Sequence, residues 1–334
     1  MTKGVAFRPP RPDELASCAL VWHLATDDYV SRLGRPLPPP FLDPLVQLLE
    51  HLRTTDPERF LVATRTVPEP AAGQRSERII GFGIGLVREH VWFLSQLYIL
   101  PAEQRRGVGS ALLRLVLPSA PAPAADPDGA ANPGIAPGDA RPGVLATCTD
   151  SAQPAANGLY ARMGIVPRMP VFNLTGNPTD PASLPRLPAD VEAVRFGIVH
   201  RAPEIDGAID AIDRAVLGYA HPADHSYLRA SGRSGFLYRT GSGELLGYGY
   251  SSEIGRFGPV ALLDETLTAP VLAHLLTTIQ PRGAISAWIP GANDRAMVAL
   301  LRAGLRIEGF PAMLCWTRPF AAFERYLPAG LALL

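Results

Sequence analysis

An α/β (α+β) fold built as two similar modules is what this sequence predicts. Three observations carry the prediction: a length of 334 residues, a Pro-rich break near the middle, and one order of strands and helices that occurs twice. The length exceeds a typical single domain, and with 47% apolar residues each half can bury a core of its own. The break runs from about Asn177 to Asp190, where Pro178, Pro181, Pro185 and Pro188 follow Pro170 and interrupt any regular element. We expect one domain over residues 1–176, a linker over 177–190 and a second domain over 191–334.

In the first half, Lys3 to Arg8 reads as a short strand, and Asp13 to Leu33 and Pro44 to Arg53 read as helices with apolar residues on one side. Strands follow at Phe60 to Thr66, Ile79 to Arg88 and Val91 to Ile99. A helix over Ala111 to Leu117 stops at Pro118, and then come a strand at Val144 to Thr149, a helix at Ala155 to Met163 and a strand region reaching Leu174. Between these elements, Pro118 to Gly143 is dominated by Pro, Ala, Gly and Asp without periodicity, so a flexible loop is expected.

The second half repeats the order at a spacing of about 190 residues. A strand near Ala193 to Val199, helical segments over Glu204 to Leu217 and His225 to Ala230, and strands at Phe236 to Thr240, Glu244 to Ser252 and Pro259 to Leu263 come first. A helix at Ala269 to Ile279, a strand at Ala284 to Ile289, a helix at Asp294 to Ala303 and strands from Leu305 to Trp316 complete it.

Composition removes several function classes. The charges balance, 31 basic against 31 acidic, so no electrostatic footprint for nucleic acid exists. Cys18, Cys148 and Cys315 are few, odd in number and far apart, which fits a reducing cytoplasm and neither a disulfide framework nor a zinc site. No apolar run is long enough to span a bilayer, so no membrane partner is expected. His221 and His225 are spaced as two ligands on one helix face would be, but Pro222 lies between them and no third ligand is evident; no metal is expected. The apolar tail from Phe320 to Leu334 is expected to dock on its own domain or on a second copy of the chain.

The chemistry concentrates at Gln104, Arg105, Arg106, Gly107, Val108, Gly109 and Ser110, between an apolar strand and a helix. A loop of that kind aims free backbone N–H groups and the positive end of a helix dipole at one point, and its glycines admit an anion close to the backbone. The simplest guest is a pyrophosphate; a plain tight turn is the alternative.

The run from Leu97 to Leu113, LYILPAEQRRGVGSALL, resembles the acetyl-CoA signature of the GNAT acetyltransferase superfamily, Gln/Arg-x-x-Gly-x-Gly/Ala. The resemblance implies a mixed, mostly antiparallel sheet flanked by helices in each module, with acetyl-CoA as co-substrate. It places Leu97, Tyr98 and Ile99 beside the pantetheine arm and the amides of Arg105 to Ser110 around the phosphates. A second stretch, from Ser151 to Gly164, resembles the family pattern Asn-x-x-Ala-x-x-x-Tyr-x-x-x-Gly-Phe, with Gln153 in the Asn place, Ala156 in the Ala place, Tyr160 and Gly164 in register and Ile165 in the Phe place. In the family such a tyrosine protonates the departing thiolate, a task suited to a phenol that keeps its proton at neutral pH. For the base that deprotonates the attacking amine, Glu89 and His90 at the turn between two strands are candidates, with a water held by Ser95 and Gln96 as the alternative.

In the second module the stretch aligned with the loop runs from Leu262 to Pro270 without glycine or arginine, and Asp264 and Glu265 would repel a pyrophosphate. Asn293 and Ala296 keep the family's Asn and Ala, while Leu300 stands in the tyrosine place ahead of Gly304. The plan is similar to tandem GNAT proteins such as mycothiol synthase. The expected function is N-acetylation of a small-molecule amine, and a non-catalytic acyl-CoA sensor or an acyltransferase for protein amines or longer acyl chains stays open.

Overall fold

The computed structural model describes residues 4–35, 37–68, 75–118, 143–196 and 203–334, so the loop expected at 118–143 lies almost wholly outside the described residues. The chain forms two compact units, Met1–Gly143 and Val144–Leu334.

The first unit runs β1 (Val5–Arg8), α1 (Leu15–Ser31), α2 (Asp43–Thr55), β2 (Phe60–Pro68), β3 (Arg75–Arg88), β4 (Val91–Ile99) and α3 (Val108–Val116). Its strands pair antiparallel in the order β1-β2-β3-β4. Successive residues of a strand face opposite sides, and Val91 to Gln96 are all buried, so β4 is covered on both faces. Leu112, Leu113 and Val116 bury the apolar side of α3, and Trp92 Nε1 donates to the Val116 carbonyl at 3.0 Å, tying the last turn of α3 to the sheet before Pro118 ends it.

Arg8 fastens β1 to the start of α1. Its Nη1 and Nη2 donate to the two Glu14 oxygens at 2.8 and 2.6 Å, and Nη2 also reaches Glu77 at 2.8 Å. The Arg8 guanidinium holds the Glu14 carboxyl down to about 2. A depressed carboxylate contributes stability above its unfolded pKa and loses it as the pH falls through the folded value. Glu14→Gln is therefore expected to cost about 1 kcal/mol at neutral pH, because solvent screens a half-buried pair. Urea denaturation should show the gap closing towards about pH 2; a gap of equal size at both pH values would remove the charge from the explanation.

The second unit runs β5 (Val144–Asp150), α4 (Pro154–Ala161), β6 (Val166–Gly176), β7 (Val191–Phe196), α5 (Pro203–Val216), α6 (Pro222–Ala230), β8 (Ser234–Thr240), β9 (Leu245–Ser251), β10 (Val260–Leu262), α7 (Thr268–Thr278), β11 (Ile285–Pro290), α8 (Asp294–Arg302), β12 (Arg306–Trp316) and β13 (Tyr326–Leu327). The repeat read from the sequence is present: strand, two helices, three strands, helix, strand, helix, strand occurs twice, and β13 follows.

Within this unit the strands order as β5-β12-β6-β11 and as β13-β10-β9-β8-β7, each neighbouring pair antiparallel. β12 lies between β5 and β6, and β6 also pairs with β11 from Val171 to Gly176. Residues 144–176, expected in the first domain, thus belong to the second compact unit. Their ladders within this unit are to β11 and β12, from the far end of the chain, and hydrogen-bond ladders rather than chain order decide compactness.

Leu272, Leu275, Leu276, Leu300 and Ile289 form the centre of the apolar core between α7, α8 and the sheets. The apolar tail docks on its own unit: β13 pairs with β10, and Leu333 and Leu334 are buried. Among the described residues no helix is long and apolar enough to cross a membrane.

Candidate acyl-CoA site

The site begins with β4, whose ladder to β3 shifts register between Ile84 opposite Gln96 and Gly85 opposite Leu94. Ser95 is the extra residue, a bulge that turns the strand locally. Beyond it, Leu97 and Tyr98 are half-buried and Ile99 is buried. Opposite them, β3 has Gly81, where a Cβ would stand 2.9 Å from the Tyr98 carbonyl, so only glycine lets the strands approach there. Tyr98 packs against Phe82 at 5.8 Å and edge-on against Trp22 of α1 at 6.4 Å.

After β4, a 3-10 turn at Pro101–Glu103 leads into Gln104, whose Nε2 donates back to the Ile99 carbonyl at 3.0 Å. Arg105 (φ 61°) and Gly107 (φ 82°) both adopt the left-handed region. That alternation turns successive N–H groups to one side. Gly107 is the N-cap of α3, and no side chain caps the helix. The first intrahelical bond is Ala111 N–H to the Gly107 carbonyl at 3.0 Å. Among the described hydrogen bonds none uses the amides of Val108, Gly109 or Ser110, as the start of an α-helix demands. Gly107 is exposed, Gly109 and Ser110 are half-buried, and Val108 is buried.

Arg105 and Arg106 are exposed on the same loop, and Glu103 holds Arg106 at 3.6 Å while pairing with Arg65 at 2.8 Å. The arrangement can bind an anion through backbone donors, the positive end of α3 and nearby guanidinium groups. Gln104 to Ser110 follow the end of β4, where Leu97 to Ile99 lie.

Glu89 and His90 are not brought to this loop. They form the turn at the opposite end of β4, Glu89 exposed with φ 48°, and a nine-residue strand spans about 26 Å. Closer to the loop, Gln96 Oε1 is buried without a hydrogen-bond partner. An orphaned buried acceptor of this kind costs about 1–3 kcal/mol unless a water or ligand donates to it.

Tyr160, Gln153 and Ala156 lie in the second unit. Tyr160 is 6% exposed in the last turn of α4, and Gln153 is the N-cap residue of that helix without capping it by its side chain. Asn157 fastens the helix to the end of β5, donating from Nδ2 to the Asp150 carbonyl at 3.0 Å and to that of Gln153 at 2.8 Å.

The corresponding places in the second module are closed. The Asp264 carboxylate accepts from Thr266 N–H at 2.9 Å and from its hydroxyl at 2.7 Å, which holds its pKa below the usual value and leaves a fixed negative charge at the turn before α7. Asn293 caps α8 through Ala296 N–H at 3.0 Å, and Leu300 is wholly buried in the core. The Asn and Ala retained there therefore serve the helix.

A cluster that the sequence reading set aside is also present in the second unit. His221 is the N-cap of α6 and Pro222 its first residue, a position where proline fits because the missing N–H has no partner to lose. Pro222 therefore does not separate the histidines, whose ring centroids are 4.3 Å apart, and Asp213 of α5 meets both. Burial opposes charge on His221, but Asp213 and Asp224 push its pKa up to about 9; burial and the neighbouring His221 lower that of His225.

Residues 21–125 match the model of the Acetyltransferase (GNAT) family. No curated protein matches the chain. Among solved structures, a protein of Pyrococcus horikoshii described as an acetyltransferase is 14% identical with TM-score 0.65, covering 97% of this chain and 93% of its own. A GCN5-related N-acetyltransferase from Sphaerobacter thermophilus is 13% identical with TM-score 0.54, covering 95% and 97%. A tandem GNAT protein from the clavulanic acid biosynthesis pathway is 15% identical with TM-score 0.51, covering 94% and 99%. These likenesses extend the shared fold over nearly the whole chain.

Proposed function

We propose that this chain, whose residues 21–125 match the model of the GNAT acetyltransferase family, transfers the acetyl group of acetyl-CoA to a primary amine of a small molecule. The observation that carries the reading is the start of α3: amides of Val108, Gly109 and Ser110 without partners, behind a left-handed Gly107 and beside Arg105 and Arg106. Those groups suit the pyrophosphate of CoA, and β4 from Leu97 to Ile99 would line the pantetheine arm.

The amine nitrogen bonds to the acetyl carbon, the carbon–sulfur bond breaks, the amine gives up a proton and the CoA sulfur takes one. We assign the proton to sulfur to Tyr160. The proton from the amine is assigned to a water held by the Ser95 and Gln96 segment, because Glu89 and His90 lie at the far end of β4 and Gln96 Oε1 has no partner of its own.

Calorimetric titration of the full chain with acetyl-CoA, free CoA and longer acyl-CoAs tests the reading. We expect one equivalent bound in the micromolar range, with the acetyl group transferred to the amine once a small amine is supplied. No heat with any of the thioesters would end the proposal, and turnover only with protein amines would move the acceptor class.

A further inference from the structure

We propose that Asp213, His221 and His225 bind one divalent transition-metal ion of the zinc class within the second unit, a site separate from acyl transfer. The three donors come from α5 and from the first turn of α6. His225 Nε2 is 2.9 Å and His221 Nε2 3.3 Å from the same Asp213 Oδ2, and all three ligand atoms lie within 4.8 Å of one another. Tetrahedral zinc with bonds of about 2.0–2.1 Å has donor-to-donor edges of roughly 3.3 Å, so a small contraction or expansion of this triangle accepts the ion.

Two of the three atoms facing away from the triangle are held as metal ligands usually are, and a carboxylate stands near the third. His225 Nδ1 is 3.0 Å from the Tyr250 hydroxyl, Asp213 Oδ1 accepts from the Tyr248 hydroxyl at 2.6 Å, and His221 Nδ1 faces Asp224 Oδ2 at 3.6 Å. Asp213, His221 and His225 are 0%, 2% and 1% exposed.

Two features distinguish this cluster from an ordinary buried hydrogen-bond network. Neither ring nitrogen of His221 makes a hydrogen bond of acceptable geometry, although the ring is buried and carboxylate oxygens stand near both. Charge is the other feature. Asp213 and Asp224 are two buried carboxylates, and Arg229, the cation on α6, is already paired with Asp206 at 2.9 Å. A divalent ion held by two neutral imidazoles would bring positive charge to both buried carboxylates. Two nitrogens and one oxygen are a borderline donor set that selects zinc and its neighbours over magnesium or calcium, and leaves one tetrahedral position to a water. Bound there, the ion would pin α5 to α6 over β9.

The test uses the untagged full chain, with elemental analysis for zinc, iron, cobalt and nickel on the protein as purified and again after stripping with a chelator and dialysis against zinc sulfate. About one equivalent of zinc should remain, and at saturation an unfolding transition should rise by roughly 5 °C or more. The double variant His221→Asn and His225→Asn should retain none. Should it fail to fold, cobalt(II) added to the wild type should give the visible bands of tetrahedral nitrogen and oxygen ligation, and Asp224→Asn should weaken binding 10- to 100-fold while every donor stays in place. A folded wild type that retains none of these metals and shows no thermal shift overturns the site, as does a metal equivalent that persists in the folded double variant. An iron or cobalt equivalent lost in that variant supports the site and replaces zinc as its occupant.

Discussion

Gly107→Val is expected to weaken acetyl-CoA binding by roughly 100-fold or more, about 2.7 kcal/mol. Gly107 sits at φ 82° as the N-cap of α3, a conformation that a β-branched residue reaches only at a cost of about 1–3 kcal/mol. The loop would relieve that strain by swinging the amides of Val108, Gly109 and Ser110 off their common focus. A loss of affinity could then reflect a distorted loop or a blocked anion, and Gly109 separates the two. A Cβ at Gly109 would stand 3.6 Å from Ile99 Cγ1, an ordinary contact, so Gly109→Ala leaves the protein side undisturbed. We expect its melting temperature to be unchanged or slightly higher and its affinity to fall, since a phosphate seated on the amides of this turn leaves little room for an added methyl. Titration calorimetry beside thermal melts reads both variants. Wild-type affinity in the two together would remove the phosphate role from this loop.

How far the sequence reaches depends on whether a feature is local. The element order of both modules was legible because amphipathic periods, caps and prolines act over a few residues, and Gln104 to Gly109 was legible because strand, turn and helix start are contiguous. The placing of β12 between β5 and β6 was not, since Ala312 finds Asp150, and Arg306 finds Thr175, across more than a hundred residues with no periodicity to announce the pairing. The Asp213 cluster failed for a smaller reason: Pro222 reads as a break unless it is recognised as the first helical residue. Once that is seen, a carboxylate one helix upstream becomes the natural third member. Asp264 is intermediate. Its charge was readable, but its engagement with Thr266, which closes the second module's turn from within, is set by the folded turn geometry.

Tyr160→Phe should leave acetyl-CoA affinity within about twofold of wild type and lower kcat roughly 100-fold, the usual loss when a positioned general acid is removed. The substitution deletes one oxygen and keeps the ring, so the packing of a side chain that is 6% exposed should survive. Expulsion of a thiolate is helped by a proton at the moment the carbon–sulfur bond breaks. The loss should therefore fall on kcat and kcat/KM together, the pattern of an interaction made only in the transition state. A thioester with a more acidic thiol needs less help, so the gap between variant and wild type should narrow along a series of such leaving groups. A constant gap across that series, or a variant with wild-type turnover, would leave Tyr160 as a packing residue of α4 and require the thiolate to leave unprotonated or to take its proton from water.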